Sequence, residues 1–308
     1  MMATVSVLVE TDSVHDYDDI TIADCLDAVA RQTYPRELIE VIAVDGGKTR
    51  SLDTLVRRRF PSAQVLSLPG GTKFEQKNLA MKAASGDIVA FLDGDCAPPP
   101  DWLATMVREL DAAPADVAGV QGITVLTRGW LAPELSALFY GPRRRHDGRA
   151  TRLVTDNCGF RRAIARQFQF EHAGFSTVVD TLYLRRLERA GYRVVLCEDL
   201  RMAHSFPATI RDRLGWFFKR AYGVGYYMVK TRQIEPDLRG SALVRGAGLG
   251  WPLLAVGKCA VDLKQVWQNR RRLGASFVAA LPLTLVYETA LFVGGLAALA
   301  RVPPPRWS

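Results

Sequence analysis

Two carboxylates one residue apart close an apolar run in this chain, where Asp93-Gly94-Asp95 follows Ile88-Val89-Ala90-Phe91-Leu92. A strand that ends this way aims both side chains past the edge of a sheet. Mg²⁺ and Mn²⁺ are hard cations that take oxygen ligands and bridge protein carboxylates to phosphates, so the pair is a candidate metal site. Gly94 is read as room for a bulky phosphate to approach the backbone. Acidic turns after strands are common in proteins without metals, so the pair gains meaning from its company. Two further acidic turns supply that company: Glu10-Thr11-Asp12 after the run 5–9, and Asp45-Gly46-Gly47 after the run 38–44.

The elements that must position these turns are legible in the hydrophobic pattern. Strands are predicted at 5–9, 38–44, 63–68, 88–92 and 117–123, and helices at 20–30, 52–60, 74–84 and 102–110. This alternation implies an α/β fold with a mostly parallel sheet and helices on both faces. Ligands of such sheets bind beyond the carboxyl ends of the strands, and all three acidic turns occupy such ends.

Other phosphate-binding devices are missing from the sequence. No GxGxxG follows the first strand, and Gly47-Lys48-Thr49 would need a glycine at the position of Ile42 to complete a P-loop. A cation together with basic side chains must therefore handle any phosphate. The net charge of +8 suits a phosphorylated substrate or anionic lipid. Nucleic acid is not an expected partner, because the charge carries no recognition motif and the arginines cluster with apolar segments. A hydrophobic share of 48% against 23% charged residues describes a folded chain. Five cysteines, at positions 25, 96, 158, 197 and 259, have neither CxxC nor zinc spacing and read as reduced thiols in a cytosolic compartment. The start Met1-Met2-Ala3-Thr4-Val5 enters the first strand without a basic stretch, so no signal peptide is expected.

The runs Val5-Ser-Val-Leu-Val-Glu-Thr, Val41-Ile-Ala-Val-Asp45, Lys77-Asn78 with Ala83-Ala84-Ser85-Gly86-Asp87, and Phe91-Leu-Asp-Gly-Asp95-Cys-Ala-Pro98 occur in the order and spacing of family 2 glycosyltransferases. The resemblance covers residues 4–225 and implies the GT-A fold. It implies that Thr11 and Asp45 lie around the nucleotide base and ribose, that Asp93 and Asp95 bind the ribose and the metal–diphosphate, and that Lys77 sits near the donor. Thr155-Asp156-Asn157-Cys158-Gly159-Phe160-Arg161-Arg162 matches the segment leading to the acceptor, with Asn157 toward substrate hydroxyls. The first two turns depart from the family pattern, at Glu10 and Asp12 and at Gly46-Gly47.

Asp180 opens a helical pattern at Asp180-Thr-Leu-Tyr-Leu-Arg185, and an aspartate there caps free N–H groups. The resemblance adds a second role, that of the general base deprotonating the acceptor hydroxyl. The family's preceding Glu is Val179 here. A lone histidine, His204, follows the predicted strand 193–197; the resemblance puts it in reach of the metal, where neutral imidazole can complete the shell. The metal set is thus expected to be Asp95, Asp93 and His204, holding Mg²⁺ or Mn²⁺.

Residues 126–150 contain Arg143-Arg144-Arg145 and His146 after Trp130, Phe139 and Tyr140, which reads as a solvated basic loop or an acceptor-side loop. Residues 209–232 read as a basic, aromatic helix, from which Lys219 and Arg220 are candidates for the donor diphosphate or acceptor. Residues 276–300 carry one charge, Glu288, and are long enough to cross a bilayer. Residues 246–261 are apolar but short and contain Lys258, so an interfacial first segment is expected, then one span or a hairpin broken at Pro282. A catalytic domain at 1–207 and a membrane-attaching segment at 208–308 are expected, on the cytoplasmic face of a membrane.

The function expected is an inverting, metal-dependent transfer of a sugar from a nucleotide-diphosphate donor to an acceptor hydroxyl, lipid-linked or in the cell envelope. Two alternatives stay open. A sugar nucleotidyltransferase would share the sheet but carry a Gly-rich basic loop where Glu10–Val14 stands. A catalytically degenerate membrane scaffold would explain Val179.

Overall fold

The computed structural model describes residues 2–15, 20–47, 49, 51–127, 148–150, 152–171, 179–205, 209–231, 250–268, 270–273 and 277–302. Arg143, Arg144, Arg145 and His146, with Trp130, Phe139 and Tyr140, lie outside them. The described residues fall into two compact units, one formed by residues up to 127 with 148–205, the other by residues from 209 onward.

The first unit is built on an eight-stranded sheet of order β3-β2-β1-β4-β7-β6-β8-β5. Its strands are β1 (Val5–Glu10), β2 (Ile39–Asp45), β3 (Gln64–Ser67), β4 (Ile88–Asp93), β5 (Cys96–Ala97), β6 (Val117–Leu126), β7 (Asn157–Arg161) and β8 (Arg193–His204). β1 to β4 pair in parallel, and β1 and β4 are buried at every position, as predominantly apolar strands covered on both faces are. α1 (Ile22–Ala30), α2 (Leu52–Arg59) and α3 (Lys73–Ala83) connect them, and α4 (Trp102–Ala112) leads from β5 to β6. Capping boxes start two of these helices, Thr21 with Asp24 on α1 and Thr72 with Glu75 on α3.

Two features depart from the expected pattern. β7 runs antiparallel to both neighbours, β4 and β6, and its Asn157 and Gly159 gave no strand signal. A Cβ on Gly159 would lie 2.1 Å from Met106 Sδ, so α4 packs directly onto this strand. β8, expected to end at Cys197, continues through the exposed Glu198 and Asp199 to His204. Its second half is held by β6, in register Ile123↔Arg201 to Leu126↔His204, after an irregularity between Gln121 and Ile123. β5 covers the end of β8, pairing Cys96 with His204. The extension is what carries His204 to the end of the sheet. The short α5 (Arg162–Ala165) and the amphipathic α6 (Val179–Arg189) lie between β7 and β8 in the chain.

The second unit consists of α7 (Ile210–Thr231), α8 (Gly250–Gln268), the short α9 (Arg270–Leu273) and α10 (Phe277–Leu299). α7 and α10 approach closely through glycine: a Cβ on Gly225 would lie 1.8 Å from the Leu291 carbonyl oxygen, and one on Gly294 2.1 Å from that of Tyr222. α10 is a helix long and apolar enough to cross a membrane, with mean hydropathy 1.7. Pro282 does not break it into a hairpin. It sits in the second turn, where it removes one backbone bond and stands exposed. α8 is a continuous helix of 19 residues, longer than the expected apolar stretch. The charges that interrupt the two apolar segments meet, with Lys258 Nζ 2.6 Å from both Asp262 Oδ2 and Glu288 Oε1.

Candidate active site

Parallel register brings the acidic turns together. Glu10 stands opposite Asp93 on one side and Val44, the neighbour of Asp45, on the other. The convergence expected from the sequence is therefore present at the carboxyl ends of β1, β2 and β4.

The innermost part is an ion pair. Lys77, from α3 and only 1% exposed, donates to Asp93 Oδ1, to the Thr155 carbonyl at 2.8 Å and to Thr155 Oγ1 at 3.1 Å. An ammonium has three protons, and all three are placed. Asp93 Oδ2 accepts from Ser13 Oγ at 3.3 Å. Burial opposes ionisation of Asp93, but the Lys77 charge outweighs it and holds the carboxyl well below the usual range. Burial disfavours the Lys77 charge too, and Asp93 with Glu10 more than restores it, so its pKa is raised. Glu10 Oε2 accepts from the Asp12 and Ser13 N–H groups, at 2.7 and 3.2 Å. Burial first, and the Asp93 charge second, push the Glu10 carboxyl up to about 8.

The outer part is a carboxylate–imidazole group. His204 Nδ1 donates to the Ser205 carbonyl at 2.6 Å, because a carbonyl can only accept. That bond fixes the tautomer and leaves Nε2 facing Asp95 Oδ2 at 3.8 Å and Asp156 Oδ2 at 3.9 Å. Burial lowers the basicity of His204, and Asp95 and Asp156 reverse this, so its pKa is raised. Asp95, Cys96 and His204 bring ligand atoms within 4.8 Å of one another. Burial pushes the Cys96 thiol well up, which keeps it protonated and leaves a donor set of carboxylate oxygen and imidazole nitrogen. Such a set suits Mg²⁺ or Mn²⁺ better than a thiolate-seeking ion, so the residues present fit the expected cation.

The other expected residues are distributed as follows. Thr11 is fully buried; its Oγ1 donates to the Val44 carbonyl at 2.8 Å and accepts from Gly46 N–H at 3.0 Å, tying β1 to β2. Asp45 Oδ1 accepts from Gly47 N–H at 2.8 Å, and the residue is half-buried. Asn157 is fully buried with its amide committed inside the sheet: Oδ1 accepts from Trp102 Nε1 at 2.9 Å, and Nδ2 donates to the Ile123 and Leu200 carbonyls at 3.1 and 2.9 Å. An amide so engaged cannot also orient an acceptor hydroxyl. Lys77 likewise serves Asp93, with no proton left for a donor phosphate. Asp180 lies in the first turn of α6, half-buried, with Oδ1 accepting from Thr181 N–H at 2.7 Å. Lys219 and Arg220 belong to α7 in the second unit, where the Arg220 guanidinium lies 5.4 Å from the centre of the Trp216 ring. Gly94 serves packing and not an open phosphate cradle, since a Cβ there would lie 2.7 Å from Val14 Cγ2 and 2.8 Å from the Glu10 carbonyl.

Two buried residues had no role in the sequence reading. Gln76 accepts from Thr11 N–H at 2.9 Å through Oε1 and donates to the Gly71 carbonyl at 2.8 Å, so it shapes the first turn. Asp156 is 3% exposed and accepts from Thr124 Oγ1 at 3.1 Å through Oδ1. Burial pushes its carboxyl up. An acidic residue set immediately before a buried strand was the available signal.

Residues 20–169 match the family model described as Glycosyl transferase family 2. Glucosyl-dolichyl phosphate glucuronosyltransferase of Haloferax volcanii is 25% identical over 250 residues, which cover 72% of this chain and 75% of that protein. Glycosyltransferase AglE of the same organism is 32% identical over 102 residues, covering 32% of this chain and about a third of that relative's length, 34%. Among solved structures, the mannosyltransferase PcManGT from Pyrobaculum calidifontis, in complex with GDP-Man and Mn²⁺, aligns with TM-score 0.64 at 20% identity. That alignment covers 96% of this chain and 88% of the other, and at this identity it establishes the shared GT-A fold.

Proposed function

We propose that this chain, whose residues 20–169 match glycosyl transferase family 2, transfers a sugar from a nucleotide-diphosphate donor to an acceptor hydroxyl with inversion at the anomeric carbon. The observation that carries the reading is the pairing of Asp95 Oδ2 with His204 Nε2, 3.8 Å apart, where the parallel strands end. Asp95 and His204 would hold Mg²⁺ or Mn²⁺. A divalent cation bound there supplies charge for the leaving diphosphate.

The protein's own groups divide the remaining work. Asp93 is kept ionised by Lys77 and gives the floor of the site a fixed charge arrangement. Asp45, half-buried at the end of β2, would meet the nucleoside, while Thr11 ties β1 to β2. Asp180 is the proposed general base: Thr181 N–H orients one carboxylate oxygen and the other is left to take the acceptor proton. One base and direct displacement give inversion, which NMR of the first-formed product reads.

The acceptor is proposed to be lipid-linked. The relative named for glucosyl-dolichyl phosphate supports this, as does the outward face of α10, where Val278, Leu285, Val286, Val293 and Leu296 are exposed. Residues 1–207 would form the catalytic domain and 208–308 the membrane attachment, at the cytoplasmic face. Lys219 and Arg220 are kept as candidates for diphosphate or acceptor contacts.

The test is a panel of UDP-, GDP- and dTDP-sugars, each with Mn²⁺, read by thermal stabilisation. A ligand of the native state raises the melting temperature by mass action, so one nucleotide class should stand out. No stabilisation by any of them contradicts the reading.

A further inference from the structure

Asp156 is a buried acidic side chain at this end of the sheet. Its Oδ1 accepts from Thr124 Oγ1 at 3.1 Å, while Oδ2, buried with a residue exposure of 3%, has no hydrogen-bond partner. A buried carboxylate oxygen without a partner is costly, and such atoms occur where a cation is meant to serve them. Among the described residues the nearest ion-pairing group is His204 Nε2, at 3.9 Å. That is too long for a hydrogen bond. Two atoms that share a hard divalent ion about 2.1 Å from each lie roughly 3 to 4 Å apart, so 3.9 Å is a ligand–ligand separation. Asp95 Oδ2 stands off the same nitrogen by 3.8 Å, so the imidazole has a carboxylate oxygen at matching distance on each of two chain segments, the residues just before β7 and the turn after β4.

We propose that Asp156 is a member of the cation-binding set, holding the divalent ion together with Asp95 and His204. The inference rests on the proposed divalent-cation site and adds to it a third protein group from outside the Asp-Gly-Asp turn. Thr124 fixes the orientation: its hydroxyl occupies Oδ1 and turns Oδ2 toward His204. With two carboxylates and one imidazole the protein binds the cation before any nucleotide arrives, because the set does not depend on donor phosphates to be complete.

The experiment is a titration of Mn²⁺ into the full chain without donor, followed by EPR of the free ion. Wild type is expected to bind one Mn²⁺. Asp156→Asn keeps the shape and removes the charge, and should weaken Mn²⁺ about 10- to 100-fold while leaving the metal-free melting temperature close to that of wild type. Thr124→Val, which only releases the orienting bond, should weaken it by a smaller factor and covers the case in which Asp156→Asn does not fold. If Asp156→Asn and Thr124→Val bind Mn²⁺ as wild type does, the inference is overturned and the cation site stands on Asp95 and His204. If wild type itself binds no Mn²⁺, both the site and this inference fall.

Discussion

The Lys77 ammonium is sealed against the Asp93 carboxylate, and this pairing separates the two aspartates of the Asp-Gly-Asp turn. Asp93 is bound into the protein; Asp95 faces His204. Removing one partner of a buried ion pair leaves an uncompensated charge, which costs about 3–5 kcal/mol. Lys77→Met should therefore lower the urea-unfolding free energy by that order. Asp93→Asn in the same chain should recover part of the loss, because the stranded charge is gone. Additive losses in the double variant would show that the pair is not coupled.

Glu10 gives the fold a pH dependence. Its ordinary value is 4.5 and its folded value is raised to about 8, so the folded state holds a proton that the unfolded chain releases. Stability from this group is full below pH 4.5 and is lost as pH rises toward 8. Glu10→Gln has no proton to lose. In metal-free protein the variant should therefore gain on wild type through that window, by up to about 1.4 kcal/mol per pH unit. Parallel melting curves for the two proteins between pH 5 and 8 would contradict the assignment.

The strands that carry the site were readable because β1, β2 and β4 are short and mostly apolar up to their acidic ends, with Ser6 and Glu40 the polar interruptions. Their parallel registry followed from the alternation with helices, and with it the meeting of Glu10, Asp45 and Asp93. The remaining site residues depend on pairing between distant segments, which local pattern does not encode. β7 is held between β4 and β6 despite Asn157 and Gly159, and the residues just before it supply Asp156 and anchor Lys77 through Thr155. β8 runs past Glu198 and Asp199 only because β6 and β5 pair with it, and without that extension His204 would read as a surface histidine. Asn157, Lys77 and Thr11 looked like ligand contacts for the opposite reason. Their polar groups are satisfied by backbone and side chains that lie far away in sequence.

The proposed base role of Asp180 separates binding from chemistry. Asp180→Asn keeps the side-chain shape and its bond from Thr181 N–H, but cannot accept the acceptor proton. Transfer should fall by about 10²- to 10⁴-fold with donor affinity unchanged. Equal loss of donor affinity would move Asp180 from base to donor contact.

The outward face of α10 tests the membrane assignment. Val286 and Val293 are 46% and 43% exposed on it. Full burial of one such side chain contributes about 1.5–3 kcal/mol, so Val286→Asp with Val293→Asp should weaken binding to anionic vesicles about 100-fold or more. The donor-induced rise in melting temperature should be unaffected. Equal sedimentation of variant and wild type with vesicles would mean that another surface faces this helix.

A divalent cation at Asp95 is proposed to hold the nucleotide-sugar donor. Calorimetric titration of the stabilising donor, in Mn²⁺ and again in EDTA, tests it on wild type, Asp95→Ala and Asp93→Ala. Wild type should bind in Mn²⁺ and not in EDTA, Asp95→Ala should bind at least about 100-fold more weakly, and Asp93→Ala should lose less in the fraction that folds. Donor binding that survives both EDTA and Asp95→Ala would contradict that role of the cation.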